Sequence, residues 1–218
     1  MPRIIDVLLS LLALLVLLPF FIPIIVILLL TGEHKVFYLQ TRVGYKNKDF
    51  KIIKFATMLS NSANMGSGSL TLKNDPRVLP FGSFLRKTKI NELPQILNII
   101  IGDLSIVGPR PQMQVDFEKY SGDVQGKIYN VRPGLTGIGS IIFRDEESLI
   151  SLAAENENPH DFYKRVIAPY KGELEIWYHS HRSLFLDFQL IFMTAWAIVS
   201  PETRLYEKWF KDLPKRNF

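Results

Sequence analysis

The chain is organised around the stretch Thr88-Lys-Ile-Asn-Glu-Leu-Pro-Gln-Ile-Leu-Asn-Ile-Ile-Ile-Gly-Asp-Leu-Ser-Ile-Val-Gly-Pro-Arg-Pro111. It predicts a helix that begins at Asn91, a favourable N-cap residue, continues with apolar residues at helical spacing and ends at Gly102. A loop then holds Arg110 between two prolines, which makes it stiff. Free amides at the helix start, the adjacent Glu92 carboxylate and this guanidinium could together bind a diphosphate and a metal ion.

Each of these features also has a purely structural explanation. Glu92 could face the positive end of the helix dipole without any chemical role. The Gly-Pro-Arg-Pro segment, residues 108–111, could be an ordinary turn. Taken singly, the structural explanations are favoured, and it is the combination on one short stretch that indicates a site.

Composition limits the class of protein. The 218 residues are enough for one domain with a substantial core, and the absence of cysteine excludes disulfides and thiolate chemistry. The formal net charge of +5 suits nucleic acid, anionic lipid or a phosphate-bearing substrate. The sequence has no zinc-finger pattern, aromatic RNA-binding signature or basic heptad helix, which argues against nucleic acid.

The N-terminal run from Ile4 to Leu30 is almost wholly apolar. A straight helix of that length would extend about 40 Å, enough to cross a hydrocarbon core of about 30 Å. Pro19 and Pro23 each remove a helix hydrogen bond and divide the run into arms too short to span. Cations at both ends, Arg3 before it and Lys35 after it, suit a segment that returns to the side it entered. Physics alone leaves a kinked single span and a re-entrant hairpin equally open.

Three motifs carry a resemblance to a known family: Asn91-Glu-Leu-Pro-Gln95, Gly102-Asp-Leu-Ser-Ile-Val-Gly-Pro-Arg-Pro111 and Val131-Arg-Pro-Gly-Leu-Thr-Gly137. In this order they resemble the bacterial sugar transferase family, the monotopic phosphoglycosyl transferases. The resemblance covers nearly the whole chain. It implies an α+β, mainly helical fold, with residues 1–32 as a re-entrant membrane helix hairpin broken at the proline. Residues 33–218 would form a domain on the cytoplasmic face of the bacterial inner membrane.

The resemblance also implies an activity. Family members transfer a phosphosugar from a UDP-sugar to polyprenyl (undecaprenyl) phosphate and release UMP, with Mg2+ as cofactor, at the start of surface-glycan synthesis. In the family an Asp-Glu pair heads the central helix, and its first acid attacks phosphorus. Here that position is Asn91, and a neutral amide is a poor nucleophile.

Three explanations of this departure are open. Glu92 attacks, while Asn91 orients an oxygen or contacts the metal. Alternatively the phosphosugar passes directly between bound substrates, or the chain binds without catalysing. The rival functions are therefore a catalytically silent membrane scaffold of a glycan assembly pathway and a single-span lipid-binding protein that uses only its basic face.

The remaining candidate site residues follow from the resemblance. Arg110 would clamp a phosphate or the uridine end, between the nucleotide-contacting Pro109 and Pro111. Arg132, Arg77 and Arg86 are further substrate-binding candidates. Glu92 and Asp187 are the candidate metal ligands, although Asp187 could equally be the N-cap of the last apolar helix.

A basic hairpin precedes this site. Its second strand, Phe50-Lys-Ile-Ile-Lys-Phe55, resembles a family segment after which Arg commonly stands, whereas this chain has Ala56. Lys54 and Arg42 would face lipid phosphates or the substrate. The expected partners are thus a UDP-sugar, polyprenyl phosphate and membrane lipid, with a homo-oligomer possible and the identity of the sugar beyond the sequence.

Overall fold

The computed structural model describes residues 1–200 and 203–218. Within them α-helices predominate over two small two-stranded sheets, which confirms the predicted mainly helical α+β fold. The helices are α1 (Arg3–Leu30), α2 (Pro80–Lys87), α3 (Gln95–Ile101), α4 (Gln114–Phe117), α5 (Gly122–Lys127), α6 (Ile138–Ile142), α7 (Glu146–Ala153), α8 (Pro159–Phe162), α9 (Ala168–His181), α10 (Leu184–Val199) and α11 (Leu205–Trp209). The strands are β1 (Phe37–Val43), β2 (Asp49–Phe55), β3 (Ser105–Val107) and β4 (Gly134–Thr136).

Strands β1 and β2 form the antiparallel hairpin that the alternating pattern predicted, in a register that pairs Phe37 with Phe55. The side chain of Asn98 in α3 fixes this hairpin to the central helix. Its Oδ1 accepts a hydrogen bond from the Ile53 amide at 2.9 Å, and its Nδ2 donates to the Lys51 carbonyl at 2.8 Å. The C-terminal end of β2 is therefore held beside the helix that follows Glu92.

Strands β3 and β4 join the second and third motifs as a parallel pair, with Ser105 opposite Gly134 and Val107 opposite Thr136. The two backbones approach so closely that a Cβ on Gly134 would lie 2.1 Å from the Gly108 nitrogen. Only glycine fits there. The glycines of these motifs therefore bring two loops together and position residues 108–111.

The start of the central helix differs from the prediction. Residues Ile90–Glu92 form a 3-10 turn, and α3 begins only at Gln95, after Pro94 at its cap position. Proline is favourable there because the first amides of a helix need no intrahelical partner. Asn91 is therefore not an N-cap; its side chain is buried instead. The predicted end of the helix is confirmed, since Gly102 follows it with a left-handed φ of 115°.

Helix α1 is continuous through Pro19 and Pro23, so the predicted break into two arms is absent. Among the described residues it is the one helix with the length and apolarity to cross a membrane. One face of α1 packs on the domain along the length of the helix. This packing keeps the helix continuous although each proline removes a backbone hydrogen bond. That face comprises Asp6, Ser10, Leu14, Leu17, Phe21, Ile24 and Leu28.

Both ends of α1 contact the same domain. At its start, the Arg3 guanidinium donates to the Ile99 and Ile100 carbonyls at the end of α3. The buried Asp6 carboxylate accepts hydrogen bonds from the Ser105 hydroxyl at 2.8 Å and the Ile106 amide at 2.9 Å. At its other end, Leu28 lies in a buried cluster with Phe55 and Leu85.

The outer face of α1 is exposed and apolar, and α10 has an exposed apolar face of its own. Helix α10 buries Leu190 completely, but on its opposite side Phe185 is 74% exposed and Val199 is 80% exposed. In the middle of α10, the Phe192 ring stacks on Trp209, with centroids 5.7 Å apart. Large exposed apolar faces with aromatic residues at their edge suit contact with lipid.

Candidate active site

A cleft of about 870 Å³ lies between the β1–β2 hairpin, the 3-10 turn before α3 and the loop after β3. We call it the central cleft. Its walls bring together residues from every motif that the sequence singled out except the Arg132 loop. Among the residues that line it are Arg42, Lys54, Arg86, Asn91, Glu92 and Arg110.

Glu92 and Arg110 face each other in this cleft. Arg110 Nη2 lies 2.7 Å from Glu92 Oε1, and Nη1 lies 3.3 Å from Oε2, so the pair is bidentate. Burial opposes ionisation of Glu92, but the charges of Arg110 and Lys54 outweigh it and hold the pKa of this carboxyl well below its usual range. Glu92 is thus an ionised carboxylate at neutral pH.

Three further cations surround this pair. Burial lowers the pKa of Lys54 to about 7, against the opposing charge of Glu92. Burial also lowers the pKa of Lys89, and burial together with the Arg110 charge lowers that of Arg42. The cleft therefore carries more positive charge around this pair than its carboxylates neutralise. Such a site favours a multiply charged anion.

The backbone of the Arg110 loop is held by two side chains from other elements. The Tyr129 hydroxyl donates to the Arg110 carbonyl at 2.9 Å and accepts from the Gln112 amide at 2.9 Å. On the other side, the Glu175 carboxyl of α9 faces the backbone N–H of Arg110. These contacts fix the direction in which the Arg110 guanidinium enters the cleft.

Glu175 is an unusual support for a loop. It is 3% exposed, and its Oε2 has no hydrogen-bond partner among the described residues. Burial raises the pKa of Glu175 to about 8, although the Arg110 amide and the Lys171 charge oppose this rise. A Cβ on Gly139 would lie 2.4 Å from Glu175 Oε1, so this carboxyl also requires a glycine opposite.

Asn91 and Glu92 are the residues that could hold a metal ion. Asn91 is 5% exposed, and its Oδ1 is without a hydrogen-bond partner in the described ranges. Asn91 and Glu92 both line the cleft, and each carries a hard oxygen donor. Mg2+ is commonly bound by one or two carboxylates and completed by substrate phosphates, and these residues fit that pattern.

Three other predicted substrate-binding residues lie at or near the cleft. Arg86 lines it and forms an ion pair of 2.6 Å with Glu147. Pro109 and Pro111 flank Arg110 but are buried below the cleft surface. Their rings restrict the loop backbone, and nucleotide contact by these prolines remains a prediction.

Arg77 and Arg132 are placed elsewhere. Arg77 is 4% exposed and pairs with Asp75 at 2.6 Å, while its guanidinium also binds carbonyls of the loop from Ser62 to Leu70. Arg132 is exposed, donates to the Gly102 carbonyl at 3.0 Å and does not reach the cleft. The geometry gives neither residue a substrate contact.

Asp187 is also separate from Glu92. It is 1% exposed; its Oδ1 accepts from the Tyr178 hydroxyl at 2.8 Å, and its Oδ2 lies 2.9 Å from the amino group of Met1. It is not the N-cap of α10 either, because the Ser183 side chain accepts from the Leu186 amide. A metal-binding role for Asp187 stays a prediction that this geometry does not support.

The sequence reading gave no role to Lys89, Tyr129, Lys171 or Glu175. Lys171 and Glu175 are four residues apart, so they share one face of a helix. Charged residues on an inward helix face need partners, and this spacing was the one sequence signal for a role of these two residues. Lys171 reaches Glu146 at 2.7 Å, at the cleft wall. Nothing in the spacing alone indicated that Glu175 would meet the Arg110 loop.

Fold and site together define a class of protein. A cation-rich cleft in which the Glu92 carboxylate is ionised, in a domain with large exposed apolar faces, is suited to a phosphate-bearing substrate at a lipid interface. Comparison with known proteins gives the same class: a family model described as bacterial sugar transferase matches residues 1–201. The chain belongs to the bacterial sugar transferase family.

Individual relatives extend this result. The chain is 37% identical over 163 residues to the exopolysaccharide production protein ExoY of Sinorhizobium fredii, covering 68% of this chain and 72% of the relative. It is 31% identical over 209 residues to the exopolysaccharide production protein PSS of Rhizobium leguminosarum bv. phaseoli, covering 94% and 96%. It is 32% identical over 192 residues to the UDP-glucose:undecaprenyl-phosphate glucose-1-phosphate transferase of Escherichia coli strain K12, covering 87% and 38%. It thus spans most of the shorter relatives and under half of the longer one.

Proposed function

We propose that this chain is a phosphoglycosyl transferase that moves a phosphosugar from a UDP-sugar to undecaprenyl phosphate, producing UMP and a polyprenyl-diphosphate-sugar. Relatives at 32% and 30% identity are named as undecaprenyl-phosphate transferases that use UDP-glucose and UDP-N-acetylgalactosamine. The observation that carries the proposal for this chain is the bidentate pair of Glu92 and Arg110 in a cation-lined cleft. The reaction would start the synthesis of a surface glycan.

The ion pair suggests how the donor prepares the site. Arg110, Lys54 and Arg42 line the cleft and offer a diphosphate several positive charges. A diphosphate that binds Arg110 competes with Glu92 for the same guanidinium. Donor binding would therefore release the Glu92 carboxylate from its partner at the moment when phosphorus is within reach.

The proposed reaction then proceeds in two steps. A Glu92 oxygen attacks the phosphorus nearest the sugar, and the bond from that phosphorus to the bridging oxygen breaks, so that UMP leaves with the electron pair. An oxygen of polyprenyl phosphate next attacks the same phosphorus and releases Glu92. Direct attack of polyprenyl phosphate on the donor gives the same products, and Glu92 would then act by orienting the diphosphate or the metal.

Mg2+ is the proposed cofactor, held by Glu92 and Asn91 together with substrate oxygens. When bound, it would neutralise charge on the diphosphate, which is the main requirement of phosphoryl transfer. The orphaned Asn91 Oδ1 supports this assignment. An amide at this position supplies an oxygen ligand without adding a second negative charge beside Glu92.

We also place both ends of α1 on the cytoplasmic side of the inner membrane. The support is that Arg3 contacts the end of α3 while Leu28 packs with Phe55 and Leu85, so one domain holds both ends. Because the chain has no cysteine, single cysteines at Pro2 and Thr31 can be labelled without background. Both should react with an impermeant maleimide only from the cytoplasmic side, and labelling of either from the outside would contradict this topology.

A UMP-release assay tests the function. Purified protein, Mg2+, a panel of UDP-sugars and undecaprenyl phosphate should release UMP with at least one donor. Intact mass after incubation with donor alone separates the two mechanisms, because attack by Glu92 adds the mass of one phosphosugar. Absence of UMP release with every donor, in protein that still binds UDP-sugar, would favour the catalytically silent scaffold that Asn91 makes conceivable.

A further inference from the structure

A second, smaller cavity of about 240 Å³ lies where the C-terminal end of α1 meets the domain. We call it the apolar pocket. Most of its wall is hydrocarbon, and its two charged rim residues are already engaged, since Glu33 accepts from the Ser60 amide at 2.7 Å and Lys35 donates to the Ser60 hydroxyl at 2.7 Å. Its apolar wall consists mainly of Leu28, Ala56, Met58, Leu79, Pro80 and Phe81.

The apolar pocket is large enough to bind a small hydrocarbon group. An enclosed apolar cavity of about 150 Å³ binds benzene, which has six carbons. The apolar pocket, at about 240 Å³, can therefore take at least one branched five-carbon unit. The small side chain of Ala56, which is buried in the pocket wall, leaves room that a larger residue would fill.

The apolar pocket adjoins the central cleft across a shared wall. Met58, Leu79 and Pro80 line both spaces. On the cleft side of this shared wall, the Arg86 guanidinium contacts Met58 Sδ at 3.7 Å. A ligand with an anionic head in the cleft would thus place its first apolar carbons in the pocket.

The other side of the apolar pocket is membrane helix. Leu28 belongs to α1, and the next residues of that helix, Leu29 and Leu30, are 48% and 73% exposed. An apolar chain that leaves the pocket therefore meets a surface suited to lipid. A phosphorylated polyisoprenoid suits this arrangement. Its head group would lie in the cleft, its first carbons in the pocket and the rest of its chain along α1.

We propose that the apolar pocket binds the first isoprene units of the polyprenyl phosphate acceptor and so fixes the distance of its phosphate from Glu92. This inference rests on the proposed function for the identity of the acceptor. Bulk phospholipid is the competing occupant, and its acyl chain lacks the branch methyl groups that fill a pocket of this volume.

Photolabelling locates the acceptor directly. The protein is placed in nanodiscs with a polyprenyl phosphate that carries a diazirine in its first isoprene unit. The label should fall on the peptides that contain Met58 or Leu79, and excess unmodified polyprenyl phosphate should reduce it at least about tenfold. Labelling elsewhere, or equal labelling by a diazirine phosphatidylcholine that polyprenyl phosphate does not displace, would overturn the proposal.

Filling the pocket gives a functional test. Ala56→Leu should raise the KM for polyprenyl phosphate at least about tenfold, because it occupies space that several buried carbons would use. It should leave UDP-sugar binding within twofold. Ala154→Leu is the control. It adds the same atoms at a half-buried position that lines neither the pocket nor the cleft, and it should leave the KM for polyprenyl phosphate unchanged.

The outcomes separate the two proposals. An unchanged acceptor KM in folded Ala56→Leu protein refutes the pocket while leaving the transferase function intact. Labelling at Met58 or Leu79 without UMP release from any donor refutes the reaction and leaves the site. If Ala56→Leu does not fold, the labelling of the unmodified protein decides.

Discussion

Glu92 and Arg110 stand eighteen residues apart in the sequence, yet their side chains meet in a two-point ion pair of 2.7 and 3.3 Å. The pairing of β3 with β4 positions the loop that carries Arg110, and the Tyr129 hydroxyl bonds the backbone of that loop at the Arg110 carbonyl and the Gln112 amide. The ion pair sets the charge state of the site, since each partner stabilises the ionised form of the other.

Glu92→Gln should reduce UMP release by about a hundredfold or more, the usual cost of losing a group that acts in the transition state. The amide cannot attack phosphorus or contribute a carboxylate to a metal. Initial rates at saturating donor and acceptor measure the effect. Glu118→Gln is the matched control, because Glu118 is exposed just after α4 and its carboxylate accepts a hydrogen bond from Gln114 Nε2 outside the cleft. Retention of the full rate in Glu92→Gln would eliminate Glu92 as nucleophile and as essential ligand.

Arg110→Lys should raise the donor KM by about ten- to a hundredfold. Lysine keeps the charge, but a single ammonium cannot replace the planar fork that binds two oxygens at once. Arg132→Lys is the control: Arg132 bonds the Gly102 carbonyl outside the cleft, so its donor KM should stay within twofold. Equal effects of the two substitutions would show that the donor contacts the Arg132 loop as well.

Lys54 should make donor capture depend on pH. With a pKa near 7 in the free protein, its ammonium is present below pH 7 and is lost as the pH rises. A cationic Lys54 attracts the diphosphate, so kcat/KM for the donor should fall above about pH 7, as expected for a group that titrates in the free enzyme. Lys54→Arg, which stays charged, should move this decline to a clearly higher pH. An unchanged profile would assign the decline to another group.

The sequence predicts some of these features and not others, for physical reasons. The hairpin and the end of α3 at Gly102 depend on local patterns, which is why the sequence predicts them. The meeting of Glu92 and Arg110 depends on the packing of separate segments, and it was predicted only from the combination of features on one stretch that resembles a known family. The burial of Arg77 and of Asp187 depends on partners far along the chain or on loop carbonyls, so their charge alone suggested substrate contact. Pro19 and Pro23 predicted a break, but packing of α1 on the domain outweighed the lost hydrogen bonds.

The buried Glu175 carboxyl should make the free energy of unfolding fall as the pH rises. Its pKa is about 8 in the folded state against 4.5 as the unperturbed value. Below about pH 4.5 this carboxyl is protonated in both the folded and the unfolded state, and its contribution to stability is intact. Between about pH 4.5 and 8 only the unfolded state loses the proton, so the free energy of unfolding falls as the pH rises through this range. Glu175→Gln, which is always neutral, should be more stable than the natural protein at pH 9, with the difference in melting temperature shrinking toward pH 5.

The same substitution tests the support of the Arg110 loop. An amide oxygen can still accept from the Arg110 N–H, so Glu175→Gln should keep the donor KM at pH 7. Glu175→Ala leaves that amide facing a void and should raise the donor KM. If Gln and Ala have equal effects, the carboxyl does not position Arg110.

Arg77→Lys should separate structure from substrate binding. Arg77 Nη1 donates to the carbonyls of Ser62, Met65 and Gly68 at 2.8, 2.8 and 2.9 Å, so one guanidinium holds this loop together. Lysine cannot reach these acceptors and the Asp75 carboxylate together, which should cost about 2 kcal/mol or more of stability. Thermal unfolding in detergent should show this loss while the donor KM changes less than twofold.

Arg86→Lys provides the opposite case. Arg86 lines the cleft and its partner Glu147 is half exposed, so the ion pair itself contributes little to stability. We expect the donor or acceptor KM to rise with little change in melting temperature. A large rise in donor KM for Arg77→Lys at unchanged stability would mean that Arg77 leaves Asp75 to bind the substrate, and the loop would then have to open during turnover.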